Sequence, residues 1–269
     1  MKNVVSIHGA PRSGTSWLGQ LFDSSPKTQY KFQPLFSYTF KDYLNLYSNE
    51  QAINDFFESV YSTKDNFLDQ QDKKEMGYYP IFENKSTQPN SLVIKMVRYH
   101  YLIKHLLSHA PHLKVIGIVR HPCGAMNSWR KAPREFLPEW DFNKEWYFGI
   151  KKNNFRPEEY YGFLKWKEVA AMFLELKKSF PEQFKLIRYE DLVNQTESVV
   201  RDVFKFTNIK VEQQTIDFID ESKIVHQDDV YSVFKGNKNL DEWKEELDPH
   251  IIHQIESELT NNELYQFML

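Results

Sequence analysis

Cysteine is nearly absent from this 269-residue chain. Cys123 is the only one, so no internal disulfide can form and a disulfide-stapled fold is excluded. A chain without disulfides suits a reducing compartment, and a cytoplasmic location is the expectation. Long apolar runs are missing as well. The opening MKNVVSIHG holds only a few consecutive apolar residues, too few for the core of a secretory signal. No stretch approaches the ~20 residues of a membrane-crossing helix. Nor does one charge dominate: 34 Lys and Arg face 37 Asp and Glu, for a formal net charge of −3. Dedicated nucleic-acid binders carry a basic surplus, so an anionic ligand must be held by a local cluster and not by the overall field. Repeats and low-complexity blocks are lacking too. What the chain does have is aromatic residues, 16% of the total, enough to line a pocket for a flat or sugar-like ligand in addition to filling a core.

Four short runs at 3–8, 92–97, 115–119 and 185–188 are rich in Val, Ile or Leu without clean alternation, the pattern of parallel strands covered on both faces. Helical spacing follows them: Trp17, Leu18, Leu21 and Phe22 after the first, residues 101–107 after the second, and a helix opening at Pro122 after the third. Further helices are predicted at 162–179, 195–206 and 249–258. The alternation predicts an α/β fold, a central parallel sheet flanked by helices, in a single domain spanning 1–269. Residues 28–90 and 132–161 break the rhythm, being aromatic, charged and interrupted by prolines. They read as excursions at the mouth of the sheet, where binding loops gather.

The sharpest local signal runs from Ile7 to Leu18, IHGAPRSGTSWL. A strand enters a turn containing Gly9 and Gly14, and the turn enters an amphipathic helix. Free backbone N–H groups and the positive end of the helix dipole then meet at one spot, a site for phosphate or sulfate. The glycine spacing is that of a Walker loop, but Thr15 stands where that loop requires Lys. The positive side chain sits inside the turn instead, as Arg12. A second block, VIGIVRHP, ends in Arg120 at the carboxyl end of a strand, and Ser128 lies about two turns into the next helix. A guanidinium and a hydroxyl can converge there on another phosphate.

Pro-Arg-Ser-Gly-Thr-Ser-Trp-Leu resembles the 5′-phosphosulfate loop of sulfotransferases that use 3′-phosphoadenosine 5′-phosphosulfate (PAPS) and release 3′-phosphoadenosine 5′-phosphate (PAP). Arg120 and Ser128 resemble that family's 3′-phosphate motif. The resemblance implies a fold like that of the P-loop NTPases and a sulfonyl transfer from PAPS, with no metal expected. It places Arg12, Ser13, Gly14, Thr15 and Ser16 around the 5′-phosphate and sulfonyl group. It sets Trp17 and Tyr189, the latter within Tyr189-Glu190-Asp191, by the adenine. Lys235 and Gly236 fall at the 3′-phosphate, although Phe234 stands where the family often has Arg.

The base that takes the acceptor's proton is less well defined. Lys95 aligns with a family lysine and is assigned to catalysis with Arg12. The family's histidine position holds Val97, however, and its alternative glutamate position holds Gln33. His100 is the first candidate for the base because a near-neutral pKa suits the task, with Glu83 and His8 behind it. His105 and His109, four apart, have zinc-chelating spacing but no accompanying Glu for a protease motif. Two other functions compete with the leading one. A P-loop-like nucleotide kinase would need the missing Walker lysine. A non-catalytic PAP-binding protein would explain Gln33 and Val97. The favoured acceptor is a hydroxyl or amine on a glycan, small alcohol or phenol; no nucleic acid and no membrane span are expected.

Overall fold

The computed structural model describes residues 3–236 and 239–269. Five strands, β1 (Val4–His8), β2 (Thr28–Phe32), β3 (Ser91–Met96), β4 (Leu113–Val119) and β5 (Phe184–Arg188), form one sheet in the order β2-β3-β1-β4-β5. Every neighbouring pair is parallel. In the centre, Ile7 of β1 lies opposite Lys95 of β3 and Ile116 of β4. The chain runs from β1 to the edge strand β2, returns to β3 beside β1, then crosses to β4 on the other side. Such a reversal opens a crevice at the carboxyl ends of the central strands.

Strand residues alternate between two cores, as the two-residue period requires. Val4, Leu92, Ile94, Met96, Leu113, Val115 and Val119 face one core, built with the helices Ile103–His109, Pro122–Arg130, Phe163–Ser179 and Pro249–Leu259. Val5, Ile7, Val93, Ile116 and Ile118 face the other, covered by Thr15–Asp23, Thr196–Phe206 and Gln213–Ile224. The predicted helices therefore stand where expected, within a residue or two at each end. No helix among the described residues is long and apolar enough to cross a membrane.

Gly117 shows how tightly one face is filled. A Cβ there would lie 2.6 Å from the Phe184 ring and 2.9 Å from that of Phe173. Gly117→Ala is expected to cost about 1–3 kcal/mol through overpacking, measured as a lower urea midpoint with an unchanged m-value.

One strand escaped the sequence reading. β2, Thr-Gln-Tyr-Lys-Phe, lies inside the irregular stretch 28–90. It lacks an apolar run because it is an edge strand with satisfied polar side chains. Lys31, 1% exposed, reaches Asp69 Oδ1 at 2.7 Å, and Gln29 donates to the Tyr61 carbonyl at 2.7 Å. The same stretch contains the helix Glu50–Ser62, capped by Asn49 accepting from the Ala52 N–H. By contrast, 132–161 contains only the short helices Phe142–Glu145 and Ile150–Asn153.

Candidate active site

A cavity of about 1030 Å3 opens at the carboxyl ends of the central strands. Its floor is the turn after β1. Arg12 and Gly14 both have left-handed backbone, φ 70° and 87°. Gly14 caps the helix Thr15–Asp23, and the first intrahelical bond runs from Leu18 N–H to its carbonyl. The N–H groups of the first turn thus have no intrahelical partner, and the positive dipole end faces the cavity. Glycine is needed at position 14 on two counts, since a Cβ there would also fall 2.4 Å from the Tyr189 ring.

Arg12, Arg120 and Ser128 interlock. Arg12 Nε donates to Ser128 Oγ at 3.2 Å and Nη2 to the Val230 carbonyl at 2.8 Å. Arg120 Nη1 donates to the Arg12 carbonyl at 3.1 Å, and its guanidinium lies 4.8 Å from the Tyr189 ring centre. The helix Pro122–Arg130 carries Ser128 into this group and admits the Arg120 side chain beside Gly124, where a Cβ would be 3.1 Å from Arg120 Nε. Burial, opposed by Tyr189 and Glu190, lowers the Arg120 pKa. Neither guanidinium has a carboxylate partner among the described residues, so the positive charge is left for a ligand.

Thr15, Ser16, Trp17, Tyr189, Lys235 and Gly236 also line the cavity. Trp17 Nε1 donates to Ser222 Oγ at 3.2 Å. Lys235 donates to the Asp229 and Gln227 carbonyls, and Gly236, at φ 55°, closes its turn through an N–H to the Val225 carbonyl. Ser13 is the exception. It is fully buried, and its hydroxyl has no hydrogen-bond partner among the described residues.

Lys95 points into the same space from the end of β3. Its Nζ is 4.4 Å from the Phe32 ring centre and forms no ion pair among the described residues. Burial first, then Arg98, Lys73 and Arg12, hold its pKa well below that of an ordinary lysine. His100 does not join it. The left-handed residue Tyr99 (φ 58°) turns the chain into a 3-10 turn, and the imidazole enters the core, fully buried against Tyr160 and Phe173. There its Nδ1 is 3.1 Å from His8 Nδ1, while His8 Nε2 is 2.7 Å from Ser6 Oγ. Neither histidine lines the cavity, and Glu83 is exposed elsewhere. The expectation of His100 as the base therefore finds no support in its position. The His105–His109 pair is occupied with backbone carbonyls of Ser48 and His105.

Both irregular segments do reach the cavity, and they bring residues that no motif flagged. Lys73 Nζ lies 4.7 Å from the ring centre of Tyr231, 5.5 Å from that of Tyr79 and 5.9 Å from that of Tyr78. Burial, then Arg134, pulls its pKa down to about 8, with Asp229 and Glu135 opposing. Arg98 pairs with the buried Glu159 at 2.8 Å and donates to Gln33 Oε1 at 3.1 Å. The Tyr231 hydroxyl accepts from the Arg134 N–H and donates to Glu135 Oε2, both at 2.8 Å. For Lys73, Arg134, Glu135 and Glu159 only the density of charged and aromatic residues in these segments hinted at such roles, while Arg98 and Tyr231 lie outside them.

Residues 5–213 match a family model described as "Sulfotransferase family". Mouse sulfotransferase SULT7A1 complexed with PAP superposes with a TM-score of 0.56 at 15% identity, covering 100% of this chain and 88% of that one. The sulfotransferase domain of the Synechococcus PCC 7002 olefin synthase gives 0.52 at 14% identity, covering 97% of each. Retinol dehydratase in complex with androsterone and the inactive cofactor PAP gives 0.55 at 14% identity, covering 99% and 82%. At these identities the likeness is one of fold. A search of curated protein sequences found no match.

Proposed function

The chain belongs to the sulfotransferase family, and from that premise we propose that it takes a sulfonyl group from PAPS, passes it to an acceptor hydroxyl or amine, and releases PAP. The observation that carries this reading is the junction of the Gly14 turn with Arg12, Arg120 and Ser128, two guanidinium groups with no carboxylate partner among the described residues, around a helix N-terminus. The donor set fits a bisphosphorylated adenosine: backbone N–H groups for one phosphate, a guanidinium and a hydroxyl for the other, and the Trp17 and Tyr189 rings for the base. PAP bound to the SULT7A1 and retinol dehydratase folds agrees with this. Androsterone in the latter suits a small-molecule alcohol as acceptor class, and the aromatic lining also admits a glycan or phenol. In this reading the whole chain works as one cytoplasmic domain, without a metal.

PAPS supplies an activated sulfur whose leaving group is a phosphate. This chain's residues supply position and charge. Thr15, Ser16 and the first-turn N–H groups hold the 5′-phosphate. Arg12 presents positive charge, and Lys95 an amine hydrogen-bond donor, to the sulfonyl and leaving oxygens, with Arg12 as a purely electrostatic group because guanidinium keeps its proton. Arg120 and Ser128, together with Lys235 from the same cavity wall, hold the 3′-phosphate that distinguishes PAPS from ATP.

Calorimetric titration tests the reading. PAP should bind far more tightly than ATP. Arg120→Ala should weaken PAP about tenfold to a hundredfold, the loss of a charged hydrogen bond worth roughly 1.5–3 kcal/mol, and leave ATP little changed. Equal affinity for the two nucleotides in the parent protein would sink the assignment.

A further inference from the structure

We infer that Glu135 is the general base that removes the proton from the acceptor, an assignment that rests on the sulfonyl-transfer reading above. Among the described residues no histidine lines the cavity, and the only carboxylates that do belong to Asp72 and Glu135. Asp72 is exposed at the rim on the short helix Gln71–Glu75. Glu135 is partly buried and held on two sides. Its N–H donates to the Ala132 carbonyl at 2.9 Å, and its own carbonyl accepts from Trp129 Nε1 at 3.2 Å. Tyr231 then fixes the carboxylate through Oε2, while Oε1 has no partner among the described residues and is left to accept a proton.

Tyr231 also links this carboxylate to the cationic groups of the cavity. The ring whose hydroxyl binds Glu135 lies 5.8 Å from the Arg12 guanidinium and 4.7 Å from Lys73 Nζ. The charge of Glu135 is felt by Lys73, Lys95, Arg98 and Lys152, yet none of them forms an ion pair with it. The carboxylate is therefore not committed to a structural bridge. Lys73 stays mostly protonated at neutral pH, with its pKa lowered only to about 8, which suits a developing anion better than a proton to be removed. In the step itself the acceptor O–H bond breaks and its proton passes to Oε1. The acceptor oxygen bonds to sulfur, and the sulfur–oxygen bond to the 5′-phosphate breaks, its electron pair remaining on the departing phosphate.

Glu135→Gln keeps the Tyr231 hydrogen bond and removes the basicity. With 4-methylphenol, or with water alone as acceptor, the variant should release PAP from PAPS about 10²–10⁴-fold more slowly while its Kd for PAP is unchanged. Formate should restore part of the rate to Glu135→Ala. Binding to the PAP-loaded protein gives a second readout with opposite signs. By calorimetry, neutral 4-methylphenol should bind several-fold more weakly to Glu135→Gln, having lost a charged acceptor. Ionised 4-nitrophenol should bind at least as tightly, being freed of a like charge. A variant that keeps the parent rate, or in which both phenols shift alike, overturns the role of Glu135 and leaves sulfonyl transfer standing. A parent protein that neither binds PAP nor releases it from PAPS overturns both.

Discussion

Arg12→Ala is expected to lower kcat for PAPS turnover about 10²–10³-fold, the usual effect of deleting one preorganised donor at a site of developing charge. The affinity for PAP should change far less, because the first-turn N–H groups and Arg120 remain. The geometry explains this split. Two of the Arg12 nitrogens are already spent on Ser128 and the Val230 carbonyl, so the guanidinium is held in place before any ligand arrives and its remaining edge faces the cavity. Charge fixed in this way costs no reorganisation during reaction. Arg12→Lys should fall between the two, since an ammonium keeps the charge but cannot copy the planar fork. The left-handed backbone at position 12 is strained for Arg, Ala and Lys alike, so the comparison isolates the side chain. Single-turnover kinetics alongside PAP titration checks it. Equal losses in kcat/KM and in PAP affinity, with kcat intact, would mean that Arg12 binds the ground state and the transition state equally.

Arg12 was legible in the sequence because the turn that carries it is local, even though Ser128 and Val230, which hold its guanidinium, lie far along the chain. A strand, two glycines and a helix start lie within a dozen residues, and Arg120 with Ser128 repeat the logic within nine. The strands buried on both faces were legible for a similar reason, since burial demands continuous apolar runs. β2 was not, because an edge strand can carry Gln29 and Lys31 once partners from Tyr61 and Asp69 reach it. Glu135, Lys73 and Tyr231 were hidden more deeply. Glu135 meets Tyr231 across 96 residues of chain, and neither stands in a pattern that announces the meeting. His100 looked suitable by residue type and by distance along the chain from Lys95. The positive φ of Tyr99 that sends it into the core leaves no trace in composition or spacing.

That buried histidine gives the second large effect, a steep loss of stability in mild acid. Burial holds His8 at a pKa of about 3, His100 well below the ordinary value of 6.5, and His121 at about 4, the last also repelled by Arg120. The 3.1 Å contact between the Nδ1 atoms of His8 and His100 adds a geometric reason. One nitrogen must donate and the other accept, so the pair cannot take up a further proton at that contact. With folded pKa values below the unfolded 6.5, the unfolded chain binds more protons as the pH falls. The stabilising contribution is complete above pH 6.5 and drains away as the pH drops toward about 4 for His121 and about 3 for His8. Each group adds a slope of about 1.4 kcal/mol per pH unit within its window. Urea midpoints should therefore fall sharply between pH 7 and pH 5. His121→Phe, which keeps an aromatic ring against Trp243, should flatten part of that slope, whereas midpoints that hold steady down to pH 5 would show that the imidazoles accept protons without leaving the fold.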